Sequence, residues 1–220
     1  MKTVVLTFDD GDVTHRDFVA PTLKKYNFTG TFFVTEALMD QVTFQDLRYM
    51  QADGMEIGNH TRCHLSLKKL SDADIISDIT GWDKELEKNG ITCHGSFCFP
   101  IFRHDWRTLN AVKKVCKRAR IGCSKNLTKW FDWQSGGRGE PYSGDRYEIT
   151  CSVAGKNYQV EDFIADARRS KVMVYCFHKI LKIIPPRECV CNTDWTEDQF
   201  IKCLDFLKEN GYKTIALKEL

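Results

Sequence analysis

Two pairs of side chains in this sequence have the types and the spacing that metal chemistry requires. Asp9 and Asp10 are adjacent carboxylates, and His60 and His64 are imidazoles four residues apart. On a helical turn, residues at i and i+4 share a face, so both imidazoles can bind one ion. A carboxylate would complete a set with open positions for water and substrate. Such a set suits catalytic Zn²⁺, and also Co²⁺, Fe²⁺ or Mn²⁺, so a hydrolytic metal site is the leading hypothesis.

The adjacent carboxylates suggest a division of roles. Neighbouring side chains on an extended segment point in opposite directions. One of Asp9 and Asp10 could therefore bind the metal while the other takes a proton from the bound water. The alternatives are a solvated Asp-Asp-Gly turn and, for His60 and His64, two surface histidines on a loop.

A third histidine, His178, follows the apolar run 172–176. This run is too apolar for a surface segment, which places the histidine at the end of a buried strand. Histidine in such a place can act as a general acid that protonates a leaving amine. The alternative is a buried histidine that is hydrogen-bonded to the backbone.

Alternating strands and helices must position these residues. Apolar runs predict strands at 4–8, 31–34, 55–58, 95–99, 120–123, 172–177 and 214–217, with further short strands at 147–153 and 158–160. The 3.6-residue period predicts helices at 18–26, 43–50, 106–118, 162–169 and 196–208, and another between Ser71 and Asn89. Residues 124–146 are rich in glycine and tryptophan and are predicted to form a long loop.

This order predicts an α/β fold with a parallel sheet and crossover helices. About seven βα units favour a closed or nearly closed β/α barrel, with an open doubly wound sheet as the alternative. In either fold, functional groups gather where the strands end. We therefore expect one cleft to contain the groups that follow strands, which are Asp9, Asp10, His60, His64, Pro100 and His178.

Composition excludes several classes of partner. The 220 residues are 42% hydrophobic, with 32 basic and 30 acidic residues and a net charge of +2. Basic residues form no long run, so no nucleic-acid footprint is predicted. The longest apolar stretches fall far short of the roughly 20 residues that cross a bilayer. Acidic residues appear before any signal h-region could form, which predicts a cytoplasmic protein unless the chain has been trimmed.

Ten cysteines are many for this length. No pair has the Cys-x-x-Cys spacing of a structural zinc site, and Cys189-Val-Cys191 is the only close pair. Several cysteines fall within apolar strand or helix patterns, namely Cys98, Cys123, Cys176 and Cys203. We therefore expect reduced thiols that pack as small hydrophobic side chains.

Four segments together resemble the motifs of a known family, the polysaccharide deacetylases (NodB-homology enzymes, carbohydrate esterase family 4). The segment 7–11, Thr-Phe-Asp-Asp-Gly, matches the first motif, and the segment 60–64, His-Thr-Arg-Cys-His, matches the second. The segment 97–100, Phe-Cys-Phe-Pro, looks like the third. The segment 174–178, which ends in histidine, resembles the fifth.

The resemblance implies a distorted (β/α)₇ barrel that forms a single domain over residues 1–220. It implies that Asp10, His60 and His64 bind a divalent metal, with Zn²⁺ favoured, that Asp9 is the catalytic base and that His178 is the acid. The implied reaction removes N-acetyl groups from an amino sugar in a poly- or oligosaccharide. The alternatives are hydrolysis of another non-peptide C–N bond, as in a formamide or ureide, and a non-catalytic carbohydrate-binding relative.

The chain departs from the family pattern in its third and fourth motifs. Many members have an arginine at the start of the third motif that pairs with the base, but residues 96–98 are Ser-Phe-Cys. Arg103 is therefore expected to orient Asp9. The glycine that often follows the Pro-x pair is replaced by Phe102. The fourth motif is only loosely matched by Asp132-Trp133.

Substrate contacts are predicted in the segments that carry these departures. By analogy with the family, Phe99, Pro100, Arg103 and Trp133 are expected to contact the substrate. Backbone N–H groups within 99–101 are expected to help hold the oxyanion. Aromatic side chains of the long loop, Trp130, Trp133 and Tyr142, either stack on sugar rings or pack the loop onto the barrel.

Overall fold

The computed structural model describes residues 2–124, 136–184 and 193–220. Its main sheet is built from parallel strands in the order β5-β4-β3-β2-β1-β7-β6, with β10 also pairing with β1. These strands are β1 (Thr3–Phe8), β2 (Thr31–Val34), β3 (Glu56–Asn59), β4 (Ser96–Cys98), β5 (Arg118–Arg120), β6 (Ser152–Val153), β7 (Val172–Phe177) and β10 (Lys213–Thr214). A separate small sheet pairs β8 (Ile180–Leu181) with β9 (Trp195–Thr196).

The sheet curls until its two edges approach each other. Arg120, at the end of β5, forms a parallel bridge with Ile149, and the Ile121 N–H donates to the Ile149 carbonyl at 2.9 Å. The same segment continues into β6, which pairs with β7. Strand order therefore follows the chain once around a ring, without the reversal of a doubly wound sheet. The predicted distorted seven-stranded barrel is confirmed, and the doubly wound alternative is wrong.

Six α-helices follow the strands in the ranges that the structure describes. They are α1 (Ala20–Tyr26), α2 (Phe44–Ala52), α3 (Asp72–Lys88), α4 (Trp106–Lys113), α5 (Val160–Arg169) and α6 (Glu197–Glu209). Several begin at the side-chain caps that the sequence offers: Thr43, Ser71 and Thr196 each accept a hydrogen bond from the backbone N–H three residues later. In the described part of the chain, no helix has the length and apolar character to cross a membrane.

Strand alternation separates two apolar layers. In β1, Val4, Leu6 and Phe8 pack outward against the helices, whereas Val5 belongs to the cluster inside the barrel. The inner cluster also includes the side chains of Phe33, Cys98, Cys151, Val174 and Cys176. Asp9 and His178 each lie two residues after an inward-facing strand residue and therefore also face inward. They lie at the end of the barrel where the strands have their carboxyl ends, which we call the mouth.

A polar network closes the opposite end of the barrel. Glu56, at the start of β3, is fully buried and accepts hydrogen bonds from the hydroxyls of Thr31 and Ser96, at 2.8 and 2.6 Å. It also accepts from the backbone N–H of Lys218 at 3.0 Å, which ties the C-terminal segment to the barrel. These contacts provide the partners that a buried carboxylate requires.

Three element boundaries differ from the sequence predictions. The helix predicted at 106–118 ends at Lys113, and β5 begins two residues earlier than the predicted strand. The reason is that the N–H groups of Lys117 and Arg118 both donate to the Gly95 carbonyl, which draws the chain alongside β4. The first predicted helix instead begins with a π-helical turn at His15–Val19.

The predicted short strands are also mostly wrong. Of 147–153, only β6 is a strand, and the predicted strand at 158–160 is a turn in which the Tyr158 N–H donates to Gly155. Val160 then begins α5, because Gln159 and Asp162 cap its first turn. The last predicted strand shortens to β10, since Leu217 starts a 3₁₀ helix.

Candidate active site

The carboxylate of Asp10 and the imidazoles of His60 and His64 converge beyond the ends of β1 and β3. Asp10 Oδ1 lies 3.4 Å from His60 Nε2 and 3.2 Å from His64 Nε2. This oxygen is buried, and among the residues that the structure describes it has no hydrogen bond of good geometry. Three donor atoms are thus directed at one point, and the three residues could hold a metal ion together.

The orientation of His60 supports this assignment. Its Nδ1 lies 2.9 Å from the Cys98 carbonyl, which can only accept, so Nδ1 carries a proton and Nε2 is the ring nitrogen that faces Asp10 and can offer a lone pair. A lone pair facing a carboxylate is repulsive unless a cation or proton lies between them. Burial lowers the pKa of His60, but Cys98, Asp10 and Asp9 outweigh burial and raise it well above its usual value. The donor set therefore fits a divalent cation.

The two histidines do not lie on a helical turn, as the i, i+4 spacing had predicted. Residues 60–66 form a bent loop instead, held by hydrogen bonds from the Thr61 N–H to Asn59 Oδ1 and from the His64 N–H to Thr61 Oγ1. The Asn59 amide also donates to the Ile79 carbonyl and to Asp83, which anchors the loop to α3. The imidazoles meet because this loop folds back, with ring centroids 5.0 Å apart.

Backbone strain is concentrated at this end of the barrel. Five of the six described non-glycine residues with positive φ lie here, namely Asp10, Thr61, His64, Ile101 and Phe102. Positive φ is most costly for a β-branched residue such as Ile101. Such strain persists only where the surrounding structure imposes it, and it is typical of functional sites.

Asp9 points into the barrel, away from Asp10, and is only 1% exposed. Its Oδ2 accepts a hydrogen bond from Arg120 Nη2 in a fully buried ion pair. Burial raises the pKa of Asp9, but the charges of Arg120, His60 and His178 outweigh it and leave the pKa below its usual value. Asp9 is therefore ionised near neutral pH and can accept a proton.

Arg120 is held from every side. Its guanidinium lies between two aromatic rings, with Cζ 5.4 Å from the centroid of Phe33 and 5.3 Å from that of Phe102. It also donates to the thiols of Cys98 at 2.6 Å and Cys151 at 3.0 Å. Stacking and hydrogen bonding together fix the planar fork that holds Asp9.

The expectation that Arg103 orients Asp9 is wrong, because Arg103 is exposed and Arg120 from β5 makes that contact. Sequence reasoning missed Arg120 because the predicted strand began at this residue, whereas Arg120 is the last residue of β5. A signal was present: polar and apolar residues alternate through Arg118-Ala119-Arg120-Ile121, which is typical of a strand with two inward arginines.

The third-motif segment places its side chains differently from expectation. Phe99 is fully buried among the outer residues, 5.1 Å from Phe97 and 5.4 Å from His104 between ring centroids, so its side chain faces the helix layer. The reason is alternation, since Cys98 points inward. The Phe99 N–H donates to the Arg120 carbonyl, which removes it as an oxyanion donor. Pro100 is buried at the end of β4.

His178 follows the inward residues of β7 and is half-buried. Its ring packs edge-on against Phe102, with centroids 6.1 Å apart. Ligand-type atoms of Asp9, Cys176 and His178 lie within 4.8 Å of one another. The predicted base and acid therefore lie at the same end of the barrel as Asp10, His60 and His64, a group that we call the Asp10 centre.

His15 is a further contributor that sequence reasoning missed. It is buried, and its Nε2 lies 2.7 Å from the His178 carbonyl. The neighbouring Thr14 hydroxyl accepts a hydrogen bond from the Ile180 N–H at 3.2 Å. The loop after β1 is thus hydrogen-bonded to the backbone of the segment that carries His178. No motif signals this contact, because it joins residues 163 positions apart.

The aromatic residues predicted to contact sugars are only partly described. Trp130, Asp132 and Trp133 lie outside the described residues. The Tyr142 N–H donates to the carbonyl of Val172, the first residue of β7, and its ring packs against the inner cluster. Tyr142 therefore packs the loop onto the barrel at the end away from Asp9.

Comparisons with known proteins agree with this architecture. A family model described as polysaccharide deacetylase matches residues 1–119. A peptidoglycan-N-acetylglucosamine deacetylase of Bacillus cereus is 34% identical over 88 residues, which is 40% of this chain and 41% of that protein. A chitin deacetylase of Colletotrichum lindemuthianum is 39% identical over 80 residues, 34% of this chain and 32% of that protein. The chain thus spans about two fifths or less of these relatives.

Solved structures share the fold over nearly the whole chain. A family 4 acetyl xylan esterase from Clostridium thermocellum, in complex with a cobalt ion, aligns with a TM-score of 0.63 at 22% identity. That alignment covers 99% of this chain and 89% of the other. The family 4 carbohydrate esterase PdaA of Bacillus subtilis aligns with a TM-score of 0.64 at 19% identity, covering 100% of this chain and 80% of the other.

Proposed function

Because the chain belongs to the polysaccharide deacetylase family, we propose that it is a divalent-metal-dependent hydrolase of N-acetyl groups on an amino sugar in a poly- or oligosaccharide. The observation that carries the proposal is the convergence of Asp10, His60 and His64 beside the buried Asp9–Arg120 pair. The substrate class is supported by relatives named for peptidoglycan N-acetylglucosamine and chitin.

Asp10, His60 and His64 would hold the metal. Two imidazole nitrogens and one carboxylate oxygen suit Zn²⁺ best, with Co²⁺, Fe²⁺ and Mn²⁺ as possible substitutes. When bound, such an ion activates a water molecule and polarises the acetamide carbonyl. The Cys98 carbonyl keeps His60 in the tautomer that leaves Nε2 free for this purpose.

Asp9 would act as the general base. Its carboxylate is ionised, and its buried Oδ1 has no hydrogen-bond partner among the described residues, so it is free to take the proton of the attacking water. Arg120 occupies Oδ2 and thereby fixes the direction in which Oδ1 points. The two adjacent aspartates thus divide the work, Asp10 toward the metal and Asp9 toward the water.

His178 would supply the proton to the leaving amine, which is the step that completes amide cleavage. The oxyanion formed on the acetamide needs a backbone donor as well as positive charge. Within 99–101, the Phe99 N–H is already bonded and Pro100 has none, so Ile101 is the remaining candidate. Its positive φ is consistent with a backbone held for that purpose. Arg103, which is exposed, remains a proposed substrate contact.

The direct test is acetate release from chitooligosaccharides, peptidoglycan fragments and nucleotide- or lipid-linked acetylamino sugars, with Zn²⁺ or Co²⁺ added to the metal-free protein. We expect release that depends on metal, and none from Asp9→Asn although that variant binds the same amount of metal. Normal turnover by Asp9→Asn would refute its role as base. Absence of release from every substrate would favour a different C–N bond or a binding role.

The metal assignment has a separate readout. His60→Ala and His64→Ala are each expected to lower the bound Zn²⁺ measured by elemental analysis after dialysis. His94→Ala is the matched control, because His94 lies at the other end of the barrel beside Lys218. Unchanged stoichiometry in the first two variants would remove both residues from the ligand set.

A further inference from the structure

A second set of ligand-type side chains lies next to the Asp10 centre. It consists of the carboxylate of Asp9, the thiol of Cys176 and the imidazole of His178, whose donor atoms lie within 4.8 Å of one another. Cys176 Sγ is 3.4 Å from Asp9 Oδ2. Ligand atoms around a tetrahedral zinc ion, with bonds of about 2.0–2.3 Å, lie roughly 3.5 Å apart. The spacing therefore suits a cation that accepts oxygen, nitrogen and sulfur.

Strand pairing fixes these three residues in place. Cys176 and His178 are two residues apart, so both point inward at the end of β7. The Asp9 N–H donates to the Phe177 carbonyl at 2.9 Å, which sets β1 in register with β7 at this level. The set is therefore formed by the two most extensively paired strands of the barrel, and no loop needs to move to assemble it.

Two buried atoms of this set lack partners. Asp9 Oδ1 and His178 Nδ1 are both buried without a hydrogen bond within the described part of the chain. Unsatisfied buried polar atoms cost free energy unless water or an ion satisfies them. The Asp9 side chain is 2% exposed, so the unpartnered oxygen belongs to a side chain almost completely removed from solvent.

A neighbouring triad, Asp9 with His60 and Cys98, is a weaker candidate for the same chemistry. His60 already uses both ring nitrogens, Nδ1 toward the Cys98 carbonyl and Nε2 toward Asp10. The Cys98 thiol already accepts a hydrogen bond from Arg120. In contrast, Cys176 contacts Asp9, the carbonyl of Phe177 and the thiol of Cys151. A cation at Cys176 would therefore leave in place the two contacts of His60 and the hydrogen bond from Arg120 to the Cys98 thiol.

We propose that Asp9, Cys176 and His178 form a second, thiol-containing site for a thiophilic divalent cation such as Zn²⁺ or Cd²⁺, and that its occupancy inhibits the enzyme. The Cys176 thiol releases its proton to solvent as the cation binds. The resulting thiolate and the Asp9 carboxylate offset the positive charge of the cation beside Arg120. Inhibition follows because one ion would occupy both the base and the acid, and this part rests on the proposed function.

Cation binding can be tested without any substrate. The zinc-loaded protein, in a background where Cys63, Cys189 and Cys191 are serine, is titrated with Cd²⁺ while the cadmium–thiolate charge-transfer absorption is recorded. We expect one thiolate-containing site per chain, lost in Cys176→Ala and retained in the matched variant Cys203→Ala, whose buried thiol lies on α6. Absence of the absorption in the background protein, or its persistence in Cys176→Ala, would overturn the site.

The inhibitory role needs a second measurement. Acetate release is followed against free Zn²⁺, with each variant normalised to its own rate at one equivalent of metal. We expect excess Zn²⁺ to inhibit the parent protein and Cys176→Ala to need at least tenfold more. Cadmium binding at Cys176 without inhibition by Zn²⁺ would overturn the inhibitory role. If no substrate is turned over but the Cys176-dependent absorption is present, the proposed function fails and the cation site stands.

Discussion

Arg120 shows how one side chain can compensate for a missing motif residue. It comes from β5, whereas the arginine of the family motif would stand at the start of β4, beside the present Ser96. Both strands are neighbours and both sets of inward side chains reach the barrel interior, so either strand can present a guanidinium to Asp9. The ionisation and orientation of Asp9 depend on the charge and the planar guanidinium that contact Oδ2, and not on which strand carries them.

We predict that Arg120→Lys lowers kcat by about 10- to 100-fold with unchanged metal content. Lysine keeps the charge but loses the planar fork and the stacking on Phe33 and Phe102. A change to Gln also removes the charge that lowers the pKa of Asp9. That pKa should rise, and the acidic limb of the kcat/KM profile should move to higher pH.

Arg118→Lys serves as the control, because Arg118 points inward two residues earlier and hydrogen-bonds Ser96. It is expected to change stability without moving the pH profile. An Arg120→Gln enzyme with an unshifted acidic limb would show that Arg120 does not set the protonation of Asp9.

His15 is predicted to position His178 and to make stability depend on pH. Burial lowers the pKa of His15 below its usual value of 6.5. Below pH 6.5 the unfolded chain therefore takes up a proton that the folded chain resists, and stability falls as the pH falls, by at most about 1.4 kcal/mol per pH unit. His15→Gln should remove this part of the slope in urea unfolding at pH 7 and pH 5.5.

The proposed role of His15 in positioning His178 can also be tested by measuring kcat. Gln can still donate to the His178 carbonyl, whereas Leu cannot, so we expect His15→Gln to keep most of kcat and His15→Leu to lose it. His104→Gln is the control: the pKa of His104 is also lowered by burial, but His104 packs on Phe99 in the outer layer. Equal kcat in the Gln and Leu variants would leave His15 with a purely structural role.

Residue types and their placement after strands were sufficient to anticipate that Asp10, His60 and His64 would meet. The reason is that parallel strands end at one edge, whatever the loops do. The same rule could not find Arg120 or His15, because each acts through a partner more than 100 residues away. Phe99 is different: alternation from Cys98 already implied an outward side chain, and that inference was available from the sequence.

At the scale of elements, the two-residue period of the strands decides what reaches the mouth. It places a small residue, Gly58, on the inner face of β3, two residues before His60. A Cβ added at Gly58 would lie 2.7 Å from two ring atoms of Phe33. The absent side chain thus leaves room for the ring on which Arg120 stacks. A glycine in the middle of a strand marks such a close approach.

We predict that Gly58→Ala lowers the free energy of unfolding by about 1–3 kcal/mol and also lowers kcat, because Phe33 must shift under Arg120. The measurements are urea unfolding and acetate release. Gly81→Ala is the matched control, since Gly81 lies within α3 and its added Cβ would meet nothing within 4 Å. That change should stabilise the protein by about 0.5–1 kcal/mol. Equal stability of the two variants would contradict the packing of Gly58 against Phe33.

Element boundaries were harder to predict than element types. Strongly periodic helices such as α3 begin and end where the sequence indicates, with Ile75, Ile79, Trp82 and Leu86 buried on one face. The segment from α4 to β5 was misplaced because Lys117 and Arg118 pair with Gly95, a contact that local pattern does not encode. Tertiary hydrogen bonds decide the boundary there.

At the scale of the whole molecule, exposed apolar side chains are concentrated near the mouth. Six large hydrophobic side chains of the described residues are exposed, and five follow the carboxyl ends of strands: Leu38, Leu65, Trp106, Ile183 and Ile184. The sixth, Tyr49, lies on α2. Exposed apolar groups near a cleft commonly mark a surface that binds a ligand. The faces of sugar rings are partly apolar, so a sugar chain could pack against these side chains.

We predict that Trp106→Ala raises KM for an oligosaccharide of several sugars by about 2- to 10-fold, the effect of losing one aromatic contact. Trp106 is 75% exposed at the start of α4, so its loss should leave stability and metal content unchanged. Tyr49→Ala, which removes an exposed ring on α2, should leave KM unchanged. A KM for Trp106→Ala equal to that of the parent would exclude a role in holding longer substrates.

The ring of strands closes at a seam where β5 pairs with Ile149, a residue that belongs to no regular strand. Between β5 and β6 the closure depends on the bridge from Arg120 to Ile149 and a few hydrogen bonds around it, whereas β1 and β7 are joined along six residue pairs. We expect local opening of the barrel on warming to begin at that seam. Arg120, whose guanidinium holds Asp9, is one of the two residues that form the bridge there. Fast amide exchange at Ala119, Ile121 and Ile149 would then accompany loss of turnover on warming, well before the rest of the barrel melts.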